Sequence, residues 1–215
     1  ALMNCGASMG EGYGPMIVAM SGVTEEEARA HPIAVPGLKT SAYLGIKLCW
    51  GDLNYEVVPF DEIIPRILDG TYKSGLIIHE GQLTYVDHNL DVLVDLGVWW
   101  NEKTGGLPMP LGGNVVRRDL GKQIMEDVTM YTKMSIEHSI ANPDVALQFA
   151  KKWGRGIDDD TNREFVTMYV NERTIDYKKE GRESIRMFLR EGQDIGLINP
   201  DFDISTVQFI GSDES

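Results

Sequence analysis

Between Ile33 and His79, short apolar runs alternate with amphipathic stretches of about ten residues, and this alternation limits the fold more than any other feature. Ile33-Ala34-Val35 reads as a strand, Pro36-Gly37 as a turn and Thr40 to Trp50 as a helix. Tyr55 to Pro59 reads as the next strand, Asp61 to Leu68 as a helix capped by Asp61 and stopped at Gly70, and Ser74 to His79 as a third strand. Strands alternating with helices of this length imply βαβ units and a mostly parallel sheet. Upstream, Tyr13 to Met20 reads as a glycine-rich loop running into a short buried strand. Thr24 with Glu27 three residues on is the signature of a capping box.

After Trp100 the texture changes. Leu107 to Arg117 reads as an extended segment broken by Pro108 and Pro110, and beyond it the chain is helical. Leu120, Ile124, Val128 and Tyr131 form one amphipathic stripe, and Val145, Phe149 and Trp153 repeat the spacing in a helix that starts at Asn142-Pro143. Phe165 with Tyr169, and Ile185 with Phe188 and Leu189, mark two more helices. The acidic tail is expected to pack loosely apart from Val207 to Ile210. A chain that leaves one lobe, builds another and returns makes a two-lobed α/β fold with its ligand in the cleft. On this reading residues 1–32 and 111–215 form lobe 1, residues 33–110 form lobe 2, and the C-terminal part is helical.

Composition removes several classes of function. The 215 residues are 42% apolar and 25% charged, as in an ordinary globular protein. With 20 Lys plus Arg against 33 Asp plus Glu, the formal net charge is −13, which argues against nucleic acid or an anionic membrane surface as partner. Cys5 and Cys49 are too few for a disulfide framework and read as reduced thiols. No apolar run approaches the roughly 20 residues of a membrane span, and no basic segment followed by an apolar one marks a leader, so a cytoplasmic location is expected.

Chemistry concentrates at a few positions. His79 ends an apolar strand, where open α/β sheets place their ligands, and a neutral imidazole there suits a general base. The same position also suits a hydrogen-bonded histidine with no chemistry to perform. Glu80 would point to the opposite face unless the strand had already ended. Pro36 to Ala42 is a strand-to-helix turn whose N–H groups could hold a carboxylate, with simple capping by Thr40 or Ser41 as the other reading. Gly10 to Pro15 has the wrong order for a dinucleotide loop and reads as a structural turn. His79, Glu80, Asp87 and His88 lack metal-ligand spacing, so no metal is expected. Ser8 and Cys5 have no histidine near them in sequence, Trp99-Trp100 reads as core, and Asp158-Asp159-Asp160 as charge at a helix start.

Several stretches converge on one family. Gly12-Tyr13-Gly14-Pro15, Val35-Pro36-Gly37 with Thr40-Ser41-Ala42, Ile78-His79-Glu80-Gly81-Gln82-Leu83-Thr84-Tyr85, Asp95 to Trp100 and Leu107 to Gly112 resemble 1,4-dihydroxy-6-naphthoate synthase of the futalosine route to menaquinone. The Ile-His-Glu-x-Gln block is the most specific of these. The resemblance implies the type II periplasmic-binding-protein fold and a cofactor-free lyase that releases dihydroxynaphthoate from cyclic dehypoxanthine futalosine. It implies His79 as the proton acceptor, with Thr40, Ser41, Ala42 and Ile78 contacting a small-molecule carboxylate substrate; homo-oligomerisation stays open. The family's opening Ser-Pro-Cys-Pro-Asn-Asp loop has no counterpart here, so the chain is expected to lack the family's N-terminal segment. Two competing readings are a solute-binding receptor of a transporter and the sister chorismate dehydratase of the same pathway.

Overall fold

The computed structural model describes residues 1–79, 81–152, 163 and 166–212. Glu80, Trp153, Asp158, Asp159, Asp160 and Phe165 lie outside the described residues. The chain forms two compact units, one of Gly10–Met109 with Arg190–Pro200, the other of Ala1–Met9, Pro110–Leu189 and Asp201–Ser215. Residues 10–32 thus fold with 33–109, whereas the sequence reading drew its boundary after Pro32.

The first of these units is built on β3 (Met16–Met20), β4 (Ile33–Val35), β5 (Tyr55–Val57), β6 (Ser74–Ile77) and β7 (Leu90–Asp95), in the spatial order β5-β4-β6-β3-β7. Its helices are α1 (Glu25–Arg29), α2 (Ser41–Trp50), α3 (Ile63–Leu68), α4 (Gly81–Thr84) and α5 (Leu96–Thr104). The inner strands are apolar on both faces: β4 and β6 are buried throughout, and so are Ile17, Val18 and Ala19 of β3. β5 is exposed along its length, as befits an edge. Val18, Ala34, Val58, Ile63, Ile67, Ile77 and Leu90 form the core between sheet and helices.

The sheet departs from the expected parallel order in one strand. β4 pairs parallel with β5 and β6, but β3 runs antiparallel to both β6 and β7. Apolar periodicity carries no information on strand direction, so the reversal was invisible in the sequence. The capping box predicted at Thr24 is present, with Glu27 returning a bond to the Thr24 N–H. Asp61 does not cap α3. Phe60–Glu62 forms a 3-10 turn in which the Glu62 N–H already donates to Pro59 O at 2.9 Å, and this turn leads into α3 without a side-chain cap.

The other unit contains β1 (Leu2–Met3) paired in parallel with β9 (Phe209–Ile210), and the helices α6 (Lys122–Ala141), α7 (Pro143–Ala150), α8 (Glu172–Ile175) and α9 (Lys178–Asp194), the last of which continues past Leu189. β2 (Ser8–Gly10) and β8 (Met109–Gly112) carry the first two passages of the chain from one unit to the other. Met3, Cys5, Val116, Met125 and Ile210 make one core cluster, and Ala7, Met9, Tyr177, Ile185 and Phe209 another. The tail is anchored where expected, with Phe209 and Ile210 buried. The α6 stripe is a correction. Leu120, Ile124, Val128 and Tyr131 are all exposed, while Met125 and Thr129 are buried. The helix is apolar on more than one face, and the core takes the face on which Thr129 O accepts from Cys5 Sγ. Val145 and Phe149 of α7 are likewise exposed, and Leu147 is buried instead.

Candidate active site

Strand register gathers the chemistry at one end of the sheet. Met16, the first residue of β3, stands opposite Ile77 at the end of β6 and Asp95 at the end of β7. Val35 at the end of β4 stands opposite Val57 at the end of β5. The loops that leave β4, β5, β6 and β7 and the loop that enters β3 therefore lie at the same end. Because β3 is reversed, the Gly12-to-Pro15 loop reaches it by preceding its strand.

His79 sits in that end, two residues past the last residue of β6 and not on the strand as expected. It is exposed and has φ +56°, the left-handed region that non-glycine residues enter at a cost. The strand therefore ends before His79, at Ile77, and the half-buried Ile78 makes the transition. Its imidazole meets the Phe60 ring edge to face, with centroids 5.0 Å apart. Phe60 comes from the loop after β5.

A chain of hydrogen bonds fixes the turn. His79 O accepts from the Gln82 N–H at 3.1 Å, and the Gln82 side chain, 3% exposed, donates from Nε2 to Gly14 O at 2.5 Å. The Gly14 N–H in turn donates to the Asp95 carboxylate. Asp95 also caps α5, accepting from the Gly97 and Val98 N–H groups at 2.8 and 3.2 Å, and the Leu96 N–H donates to Pro15 O at 2.9 Å. Burial pushes the Asp95 carboxyl above its ordinary pKa, against the pull of these three N–H donors. The loop lies so close on α5 that a Cβ built on Gly97 would fall 1.9 Å from Tyr13 O.

Thr40 is the N-cap of α2. Its hydroxyl donates to Gly37 O at 2.9 Å and accepts from the Tyr43 N–H at 3.0 Å, so capping occupies it in both directions. Ser41 is the first helical residue and half-buried; Ala42 follows, buried. Their N–H groups belong to the first turn, where the helix's own ladder supplies no acceptor. Since β4 and β6 are neighbouring parallel strands, this helix start and the His79 turn follow adjacent strand ends.

The other candidates have different settings. Ser8 and Cys5 belong to the other unit, where burial raises the Cys5 thiol pKa and holds it in the protonated form. Trp100 is fully buried, and Lys103 lies over the Trp99 ring at 5.2 Å. Among the described residues no group of three or more His, Cys, Asp and Glu side chains could hold a metal ion, and no helix is long and apolar enough to cross a membrane. Sequence reasoning missed Phe60 altogether and gave Gln82 and Asp95 no role. The available signal was that both Gln82 and Asp95 lie in stretches already quoted for the resemblance.

A family profile described as menaquinone biosynthesis matches residues 1–194. The chain is also similar to the 1,4-dihydroxy-6-naphthoate synthase of Thermus thermophilus, 33% identical over 92% of this chain and 72% of that protein. It is 31% identical to the enzyme of the same name from Streptomyces coelicolor, over 92% of this chain and 71% of the relative. The chain belongs to the menaquinone biosynthesis family. It is an enzyme, a lyase of that biosynthesis. Among solved structures, a protein from Archaeoglobus fulgidus is 39% identical, with a TM-score of 0.86 over 92% of this chain and 73% of that one. The ligand-binding component of an ABC-type import system from Staphylococcus aureus is only 11% identical but reaches a TM-score of 0.62 over 96% of this chain and 72% of its own. That likeness is one of fold alone, and it gives this member of the family the type II periplasmic-binding-protein architecture.

Proposed function

We propose that the protein converts cyclic dehypoxanthine futalosine to 1,4-dihydroxy-6-naphthoate, with His79 as general base. The placement of His79 carries this reading: an exposed imidazole in a left-handed turn, braced by Phe60, at the end of the sheet where all five strand loops gather. Two relatives named for this product support it. His79 takes the proton from a substrate hydroxyl. The electron pair left on that oxygen becomes a carbonyl as the adjacent carbon–carbon bond breaks, in the manner of a retro-aldol step. The electrons of the broken bond pass through the ring system to an oxygen, which takes the proton back from His79, and aromatisation to the naphthol drives the reaction. The sugar-derived part leaves with the new carbonyl. Proton transfer and aromatisation call for no cofactor.

The start of α2 is proposed to hold the substrate carboxylate. The N–H groups of Ser41 and Ala42 and the positive end of the helix dipole suit an anion, and Thr40 keeps that start in shape by capping it. Ile78 supplies an apolar contact beside the base.

Replacement of the base tests the reading. Asparagine tolerates left-handed φ, so His79→Asn removes the imidazole without straining the turn. Turnover should fall by on the order of 10²–10⁴ while product affinity stays within a few-fold. Turnover at the wild-type rate in that variant would remove His79 from the mechanism.

A further inference from the structure

We infer that Gln82 is a positioning residue, acting on the reaction through His79; the inference rests on the reading of His79 as the base. A base in an exposed turn beyond a strand end is not itself held in a packed core, so something else must fix it. His79 has φ +56°, a conformation that persists only where the surroundings over-determine it. The structure shows what does so. The Gln82 N–H closes the turn on His79 O, and the buried Gln82 amide ties that turn to Gly14 O in a loop far removed in sequence.

The element that carries Gln82 cannot hold itself. α4 is a single turn, Gly81–Thr84, followed at once by a 3-10 turn at Tyr85–His88, and isolated helices this short do not form in water. Its anchor is therefore external, and the Gln82 side chain is a polar group that reaches across. At the far end the attachment is stiff. Gly14 is held through its N–H by Asp95, which also fixes the start of α5, and the loop backbone lies in contact with Gly97. Through Gln82 the end of β6, the start of β3 and the end of β7 form one continuous hydrogen-bonded path. Phe60 meets the imidazole from the side. Loss of the Gln82 amide would leave Gly14 O without this donor and free the backbone under His79. The ring would then drift from its reacting geometry, and misplacement of about 1 Å is enough to cost about 10² in rate.

Two variants and one double mutant test this. Gln82→Met keeps the length and burial but removes the donor, and Gln82→Glu keeps the shape while replacing the donor with an acceptor. In each, kcat should fall by on the order of 10²-fold with KM within a few-fold, since substrate contacts at α2 are untouched. The same changes made on His79→Asn should cause no further loss, because a residue acting through His79 has nothing left to act on. Wild-type kcat in a folded Gln82 variant overturns the inference. So does an equal loss in both backgrounds, which would mark Gln82 as a support of the fold alone. The reading beneath it fails separately: full turnover in His79→Asn alone sinks the base, whereas an inactive His79→Asn beside a fully active Gln82→Met sinks only the positioning role.

Discussion

The ring of Phe60 stands edge-on to the imidazole of His79, with centroids 5.0 Å apart and planes inclined at 66°. The two residues come from the ends of different strands, β5 and β6, which are separated in the sheet by β4. A side chain from one loop thus limits the swing of a side chain from another. Edge-to-face pairs contribute about 0.5–1.5 kcal/mol beyond simple burial, equivalent to a two- to tenfold effect on a rate. Phe60→Leu should lower kcat by that factor, and Phe60→Tyr, which keeps the ring, should not. Steady-state kinetics of the two variants would decide, and equal kcat in both would mean that the ring braces nothing.

The helix start offers a test of the carboxylate site that spares the fold. Ser41 is the first residue of α2, the helical position at which proline is best tolerated, and Thr40 before it already has the extended backbone that proline demands, φ −101° and ψ 150°. Ser41→Pro deletes the N–H together with the hydroxyl, and should weaken product binding about tenfold, whereas loss of the hydroxyl alone is read from the alanine variant. Ser41→Ala keeps the N–H and should bind within two- to threefold of wild type. Calorimetric titration with the product compares them. Equal affinities in Ser41→Pro and wild type would place the carboxylate elsewhere.

Two glycines of α5 should respond to alanine for different reasons. At Gly97 an added Cβ would meet Tyr13 O at 1.9 Å and Gly14 N at 2.6 Å, backbone atoms that cannot step aside singly. Gly105 ends the same helix at φ +70° with open space around it, so alanine there meets only conformational strain. Gly97→Ala should cost on the order of 3 kcal/mol and Gly105→Ala about 1 kcal/mol, read from urea unfolding midpoints. A Gly97→Ala protein as stable as Gly105→Ala would show that the loop is not seated against α5.

Asp95 makes stability depend on pH in a stated direction. Its folded pKa lies above the ordinary aspartate value because burial disfavours the charge. Below the ordinary value both folded and unfolded chains carry the proton, and no penalty exists. As pH rises between the ordinary and the raised value, the unfolded chain releases its proton first, so the folded state loses ground; above the raised value the loss is constant. Asp95→Asn retains an oxygen for the Gly97 and Val98 N–H groups but does not titrate. The stability of wild type relative to Asp95→Asn should therefore decline as pH rises through that window and level off above it. A difference that stays flat, or grows with pH, would contradict the direction of the shift.

The comparison between sequence and structure divides along physical lines. Local signals held: the Thr24–Glu27 box, the Thr40 cap and the buried runs of β4 and β6 depend on neighbours a few residues apart. His79 was legible as a residue type at a strand end, but the end of the strand at Ile77 was not, because nothing in Ile78-His79 announces a positive φ. Asp95 caps α5 through the Gly97 and Val98 N–H groups two and three residues on, a local signal that a window could hold, but its bond from Gly14, the Gln82 bond to Gly14 O and the Phe60–His79 contact join residues that only the folded sheet brings near. The α6 stripe failed for another reason. Leu120, Ile124, Val128 and Tyr131 have helical spacing, but so do Met125 and Thr129, and periodicity does not say which face a core will select.

The reversed strand also bears on how the protein folds. β3 precedes β4, β5, β6 and β7 in the chain, yet both its neighbours in the sheet, β6 and β7, are made only after two further strands and three helices. The centre of the sheet is thus closed by contacts between distant parts of the chain, the slow kind, and β3 must wait with both edges open. Local units such as α2 and the β4–β5 pair need no such delay. The ties from Gly14 to Gln82 and Asp95 form only when β3 docks, so the surroundings of His79 are completed in the closing step of folding. Refolding followed by recovery of activity should therefore lag behind refolding followed by helix content.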